Sequence, residues 1–202
     1  MLCFSQVNHN GHLTFQAPWF SYIPQRFPMR GTRDIIAPFW TDLNNVVSGD
    51  IYYAQHTSGQ LLHQVTRDIN EYFPELNFNA ELVFIATWDE VAYYSGPGTV
   101  SDFDLTAGYD TVNSHHYFTI PGSFSGSSSV FSQNSNVNKP GRWVFRVDLG
   151  SSGPLYPISG IASSQSDDGS SPRLTLQRPF VYFGRTYNNI YVLQIHYKNL
   201  KH

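Results

Sequence analysis

Segments with the length and composition of β-strands dominate the chain. Glu81–Trp88 is apolar over most of its length, the pattern of a strand covered on both faces, and is expected at the centre of a sheet. Asp50–Ala54 is rich in β-branched and aromatic residues and lies between Ser48-Gly49 and Ser58-Gly59. It reads as one arm of a hairpin, with Leu61–Arg67 as the partner strand. Tyr117–Ile120 ends at the turn signal Pro121-Gly122. In Arg142–Val147 the alternation is imperfect and places Trp143, Phe145 and Val147 on one face. One short helix is expected over Thr66–Phe73, broken by Pro74. Ser123–Ser129 has the composition of a flexible loop, and Gly150–Pro154 is the softest boundary. Strand-like pieces return at Arg173–Gln177 and Phe180–Phe183. The pattern predicts a mostly β protein: an antiparallel sandwich or distorted barrel with long loops and at most one or two short helices.

Composition sharpens this picture. Apolar residues at 41% are enough for a core, whereas charged residues at 13% fall well short of the usual quarter. Many aromatic, Ser and Asn residues with few charges suit an extracellular β module better than a cytosolic helical enzyme. A net charge of −3 with scattered Lys and Arg gives no electrostatic basis for binding nucleic acid. No apolar run is long enough to span a membrane. The single cysteine, Cys3, cannot form an internal disulfide, and the first residues lack the features of a signal peptide. These absences are taken as signs of an incomplete chain.

No constellation of catalytic residues stands out. There is no nucleophile elbow, P-loop or dinucleotide glycine pattern, so an enzyme is not expected and no cofactor is implied. His115 and His116 are adjacent and would point to opposite faces of a strand, which disfavours joint metal ligation. His56 and His63 lack ligand-spaced partners. Asp34, Asp42, Asp50 and Asp68 could form a carboxylate cluster. Asp42, Asp167 and Asp168 are the calcium candidates, with turn or cap roles preferred for each. Trp19, in a proline-broken loop, and Tyr22, Tyr93 and Tyr94 are the candidate partner contacts, within candidate loops 17–30, 93–105 and 123–135. An alternative reading makes those four rings exposed stacking surfaces of a carbohydrate-binding β-sandwich.

Two motifs carry a family resemblance. Ile35-Ile36-Ala37-Pro38-Phe39-Trp40-Thr41-Asp42 opens a segment, and Asn136–Asp148, containing Lys139-Pro140-Gly141-Arg142-Trp143, closes it. Between them lie Gly49–Tyr53, Thr66–Ile69, Asn77–Ala80, Phe84–Val91 and Ile120–Ser123, in the order found in the NIDO domain family of nidogen, alpha-tectorin and some membrane mucins. The segment resembles that domain. The resemblance implies a non-enzymatic extracellular module of cell–matrix adhesion or matrix assembly. It implies partners among matrix glycoproteins or cell-surface proteins, and tandem repeats in the parent protein.

The chain departs from the family pattern in three places. Tyr93–Gly96 passes almost directly to Thr106–Tyr109, where the family carries further core strands; a skipped exon is preferred to natural shortening. Ser166–Ser170 and Tyr182–Asn188 look like elements that normally precede the domain, so they read as the start of a second repeat. That second repeat then stops at Val192. The expected organisation is therefore residues 1–34 as a lead-in, 35–149 as the domain, 150–165 as a linker and 166–202 as a truncated second repeat. Residues 172–192 are expected either to fold back onto the first domain or to exchange between two chains as a strand swap.

Overall fold

The computed structural model describes residues 6–15, 17–31, 33–94, 104–112, 116–125, 128–147, 161–162, 180–183 and 185–187. In chain order its strands are β1 (Gln6–Asn8), β2 (His12–Thr14), β3 (Ile35–Trp40), β4 (Leu43–Asn44), β5 (Asp50–His56), β6 (Val83–Asp89), β7 (Ala92–Tyr93), β8 (Thr106–Asp110), β9 (Phe118–Thr119), β10 (Ile161–Ala162), β11 (Phe180–Tyr182) and β12 (Arg185–Tyr187). Helix α1 (Gln60–Tyr72) lies between β5 and β6, and α2 (Ser129–Gln133) follows β9. The pairing is antiparallel, in sheets ordered β1-β2-β3-β8-β9 and β10-β5-β6 with two small ribbons, β4-β7 and β11-β12. Val7 and Leu13 of the larger sheet pack with Ile51, Tyr53, Phe84 and Ala86 of the smaller one, so the main core lies between two sheets, as in a sandwich. Among the described residues no closed barrel forms.

The five-stranded sheet is irregular for a local reason. β3 contains Pro38, which has no N–H to give to a ladder, and the register against β8 shifts between Ala37 and Trp40. The β1–β2 turn fills the gap: the Phe39 N–H donates to the Gly11 carbonyl (3.1 Å) and the Thr41 N–H to the Asn10 carbonyl (3.2 Å). This close approach requires glycine. Gly11 has φ +76°, and a Cβ there would lie 2.0 Å from the Phe39 oxygen.

The three-stranded sheet is regular. β5 and β6 pair along seven residues, from Asp50↔Asp89 to His56↔Val83. The connection between them is a helix rather than the expected hairpin, so Leu61–Arg67 is not a strand. Leu62, Val65 and Ile69 recur at helical spacing, and this stripe packs on Ala80, Val83 and Ile85. Pro74 ends the helix as expected, although the helix begins at Gln60, well before Thr66. β6 is not central among the described residues; β5 is. Its apolar run arises because Phe84 and Ala86 face the main core while Val83 and Ile85 face α1.

Arg142–Val147 also differs from expectation. It is not a strand, and its most buried residue is Val144, at 0% exposure, while Trp143 and Phe145 are half-buried. Asn136 substitutes for a neighbouring strand. Its Oδ1 accepts from the Val144 N–H (2.7 Å) and its Nδ2 donates to the Val144 carbonyl (2.5 Å).

The stretches assigned as lead-in, linker and second repeat all reach this body. β1 and β2, within residues 1–34, belong to the same sheet as β3. β10, within residues 150–165, pairs with Tyr52 and Tyr53. Tyr182 of β11 is fully buried and stacks on Phe15 (centroids 5.0 Å, 23°), while the following Phe183 N–H donates to the Val147 carbonyl (2.7 Å). The β11–β12 ribbon is thus folded back onto the domain.

Candidate functional site

The described residues of the segment joining β2 to β3, residues 15–34, have no regular structure, yet side chains hold their backbone at several points. Asn8 Oδ1 accepts from the Trp19 N–H (3.1 Å), and His12 Nε2 lies 3.0 Å from the Trp19 carbonyl. The Trp40 indole N–H donates to the Ser21 carbonyl (2.9 Å), Thr106 Oγ1 to Gln25 (2.8 Å), and Thr14 Oγ1 to Ala17 (2.8 Å). Further along, the Met29 N–H donates to Asp110 Oδ2 (2.7 Å). These anchors satisfy backbone groups that a loop would otherwise leave to water.

A three-ring cluster sits beneath the loop. Trp19 and Trp40 have centroids 4.9 Å apart, and His12 lies 5.0 Å from Trp40 and 5.6 Å from Trp19. His12 is completely buried. Burial, reinforced by the Arg33 charge, lowers its pKa to about 4 against the opposing pull of the Asn10 and Trp19 carbonyls. The imidazole is therefore neutral at physiological pH, with its Nε2–H given to Trp19. The Arg33 guanidinium lies 5.1 Å over the Trp19 ring.

Above this base the apolar side chains turn outward. Phe20 is 54% exposed, Tyr22 40% and Ile23 51%. Of the four rings singled out from the sequence, Tyr22 and Tyr94 are exposed. Trp19 and Tyr93 are half-buried, Trp19 against Trp40 and Tyr93 at 6.3 Å from Phe39. The carbohydrate alternative requires all four rings to be exposed, and two of them are half-buried. The sequence reading found the loop but passed over Phe20 and Ile23. Their signal was the apolar stretch between Pro18 and Pro24, read beside the tryptophan of the neighbouring motif.

The acidic candidates separate. Asp42 is buried, and its carbonyl accepts from the Tyr94 N–H (3.1 Å). Asp68 lies on α1, 3.7 Å from Arg142. Asp34 is buried and accepts from the Val112 N–H (2.9 Å). Beside it Asp110, which the sequence reading did not single out, accepts from Met29 and Thr111; burial and the Asp34 charge raise its pKa. Among the described residues no three His, Cys, Asp or Glu side chains form a metal-holding group. Asp167, Asp168 and His115 lie outside the described residues. His116 stacks on Phe183 (4.6 Å, 14°).

The chemistry on view is that of an antiparallel β scaffold presenting side chains from anchored loops. Sequence comparison identifies the scaffold: the chain matches the profile of the Nidogen-like domain (NIDO) over residues 4–106 and 101–149 and belongs to that family. It is 32% identical to mouse alpha-tectorin over 184 residues, covering 70% of this chain and 8% of the relative. It is 26% identical to human nidogen-1 over 174 residues, covering 82% of this chain and 14% of that protein. Against the Caenorhabditis elegans dendrite extension defective protein 1 the identity is 25% over 168 residues, with 68% and 14% covered. The chain thus spans less than a sixth of the length of these relatives. No solved structure matches it. No helix among the described residues is long and apolar enough to cross a membrane.

Proposed function

We propose that the chain is a non-enzymatic extracellular module acting in cell–matrix adhesion or matrix assembly through protein–protein contacts. The observation that carries this reading is the 17–30 loop. Its backbone is held by at least five side-chain bonds, while Phe20, Tyr22 and Ile23 face solvent. A rigid loop loses little conformational entropy on binding, and its exposed apolar side chains supply the gain. Tyr94 is a second contact candidate at the edge of the β4–β7 ribbon. Modest affinity at one such loop would be raised by repetition in a longer protein, because linked sites bind at high effective concentration.

Residues 166–202 are read as the opening of a further repeat. The segment between Tyr94 and Thr106 is read as shortened; in support, the alignment to alpha-tectorin runs over more positions than the share of this chain that it covers. In a pair of chains the β11–β12 ribbon could exchange, each Tyr182 filling the partner's pocket beside Phe15.

The test is saturable binding of the purified chain to cell-deposited extracellular matrix, compared with Phe20→Ser/Ile23→Ser. A loss of about fivefold or more in affinity, with the melting temperature unchanged, is the expected result for removing exposed anchors. Equal binding by the two proteins, or no binding by the wild type, would overturn the reading.

A further inference from the structure

Charge along this chain is segregated. Up to Arg33 there is no Asp or Glu, and Arg26, Arg30 and Arg33 fall in one loop; between Asp34 and Lys139 the single Lys or Arg is Arg67. The fold converts this into two exposed patches of opposite sign, each with apolar side chains at its centre.

The first patch is the 17–33 loop. Phe20, Tyr22 and Ile23 are exposed beside Arg26 and Arg30, which are also exposed. The Arg26 guanidinium is held 4.2 Å over the Phe124 ring, so part of the positive charge is fixed in place. The second patch is the turn between β4 and β5. Val46 and Val47 are 58% and 65% exposed. This turn lies against the β6–β7 turn: Ser48 Oγ donates to the Glu90 carbonyl (3.0 Å), and the Ala92 N–H donates to the Ser48 carbonyl (3.4 Å). Gly49 makes the approach, since a Cβ there would lie 2.4 Å from the Asp89 oxygen. Asp50 and Asp89 are paired across the strands, and Glu90 is exposed beside them. The local field is negative enough to raise the Tyr52 phenol, chiefly through Asp50.

We propose that the basic aromatic loop of one molecule seats on the acidic valine turn of a second copy of this chain, forming head-to-tail assemblies. Charge complementarity selects the occupant, because the two patches are opposite in sign and each offers apolar surface for the other to cover. The loop joins two strands of the five-stranded sheet, whereas the turn leads into the three-stranded one. Contact between two different patches is heterologous, so each added copy leaves one loop and one turn free and growth can continue. The proposal rests on the reading of this module as one that works through protein–protein contacts, and it names one such contact.

Sedimentation equilibrium of the full chain tests it. The wild type should show reversible association extending beyond dimers in low salt, falling sharply at about 0.5 M salt, where exposed charges are screened. Two variants break opposite halves of the contact: Arg26→Glu/Arg30→Glu in the loop, and Asp89→Lys/Glu90→Lys in the turn. Each alone should associate about tenfold or more weakly, as expected when charges across a contact are made alike. An equimolar mixture should recover association, because the intact loop of one variant meets the intact turn of the other and the two reversed patches again carry opposite signs. Arg30→Glu alone replaces the double loop variant if loss of the Arg26–Phe124 contact lowers the melting temperature.

A wild type that stays monomeric would overturn the proposal, as would two weakened variants whose mixture recovers nothing. Association indifferent to salt and to both variants, the behaviour of strand exchange through β11–β12, would overturn it as well. The wider reading is tested separately. A monomeric chain that still binds deposited matrix through Phe20 sinks only the self-association, whereas association without matrix binding sinks the other claim.

Discussion

The two sides of the sandwich are held together in different ways. Around β1, β2 and β3, buried polar side chains take the place of a regular ladder. Asn8, His9, Asn10, His12 and Thr14 are each at most 1% exposed, and Asn8, His12 and Trp40 hold a loop that has no secondary structure. Around β5, β6 and α1, a continuous seven-residue ladder and a strict alternation of apolar faces are enough. Polar bonds of fixed geometry can therefore shape an irregular, outward-facing loop, which regular pairing cannot do. The same geometry leaves the polar side less tolerant of small changes and sensitive to acid.

Gly11→Val should break the polar side most severely. A Cβ 2.0 Å from the Phe39 oxygen, at a left-handed φ, cannot be accommodated without separating the β1–β2 turn from β3. A loss of about 4 kcal/mol or more in denaturant unfolding is expected, in the range of strain combined with broken hydrogen bonds. Phe84→Ala tests the regular side. Truncating a ring that is 1% exposed should cost about 3–4 kcal/mol, the usual penalty for a large cavity in a core. If Gly11→Val costs less than Phe84→Ala, the two sides do not differ in the way described.

Acid should then separate the two sides without any substitution. The His12 pKa falls from 6.5 to about 4 on folding, so the unfolded chain takes up the proton first. The stability that His12 contributes is present above about pH 6.5 and is lost as the pH falls towards 4, by an amount on the order of 3 kcal/mol. Asp110 acts in the opposite direction, since its raised pKa means that protonation favours the folded form. Hydrogen exchange between pH 6.5 and 4 should show the Trp19 amide, which donates to Asn8, losing protection before those of β5 and β6. In His12→Gln that difference should shrink; an unchanged difference would mean that His12 is not its source.

Much of the framework was legible in the chain. Glu81–Trp88 and Asp50–Ala54 read as strands because their residues suit pleated surfaces, and Pro74 marked the end of a helix because it cannot donate a backbone hydrogen bond. Leu61–Arg67 was misread because its β-branched composition was weighed above the helical spacing of Leu62, Val65 and Ile69. Val144 was misplaced because alternation was counted as though a strand lay beside it, whereas its neighbour is the Asn136 side chain. At the candidate site the loop was found, but the two ring types were sorted by chemistry alone. Trp19, a contact candidate whose loop could equally have been anchored by its ring, is half-buried and packs on Trp40.

The sequence by itself determined the mostly β character, the main strand segments and the family to which the chain belongs, because these depend on local composition and on motifs read in order. Tertiary structure alone decided which apolar residues face out, that Tyr182 returns to cover Phe15, and that a basic loop and an acidic turn emerge as separate patches. The reason is physical. Burial and charge patches arise where surfaces far apart in sequence meet, and no local pattern specifies that meeting.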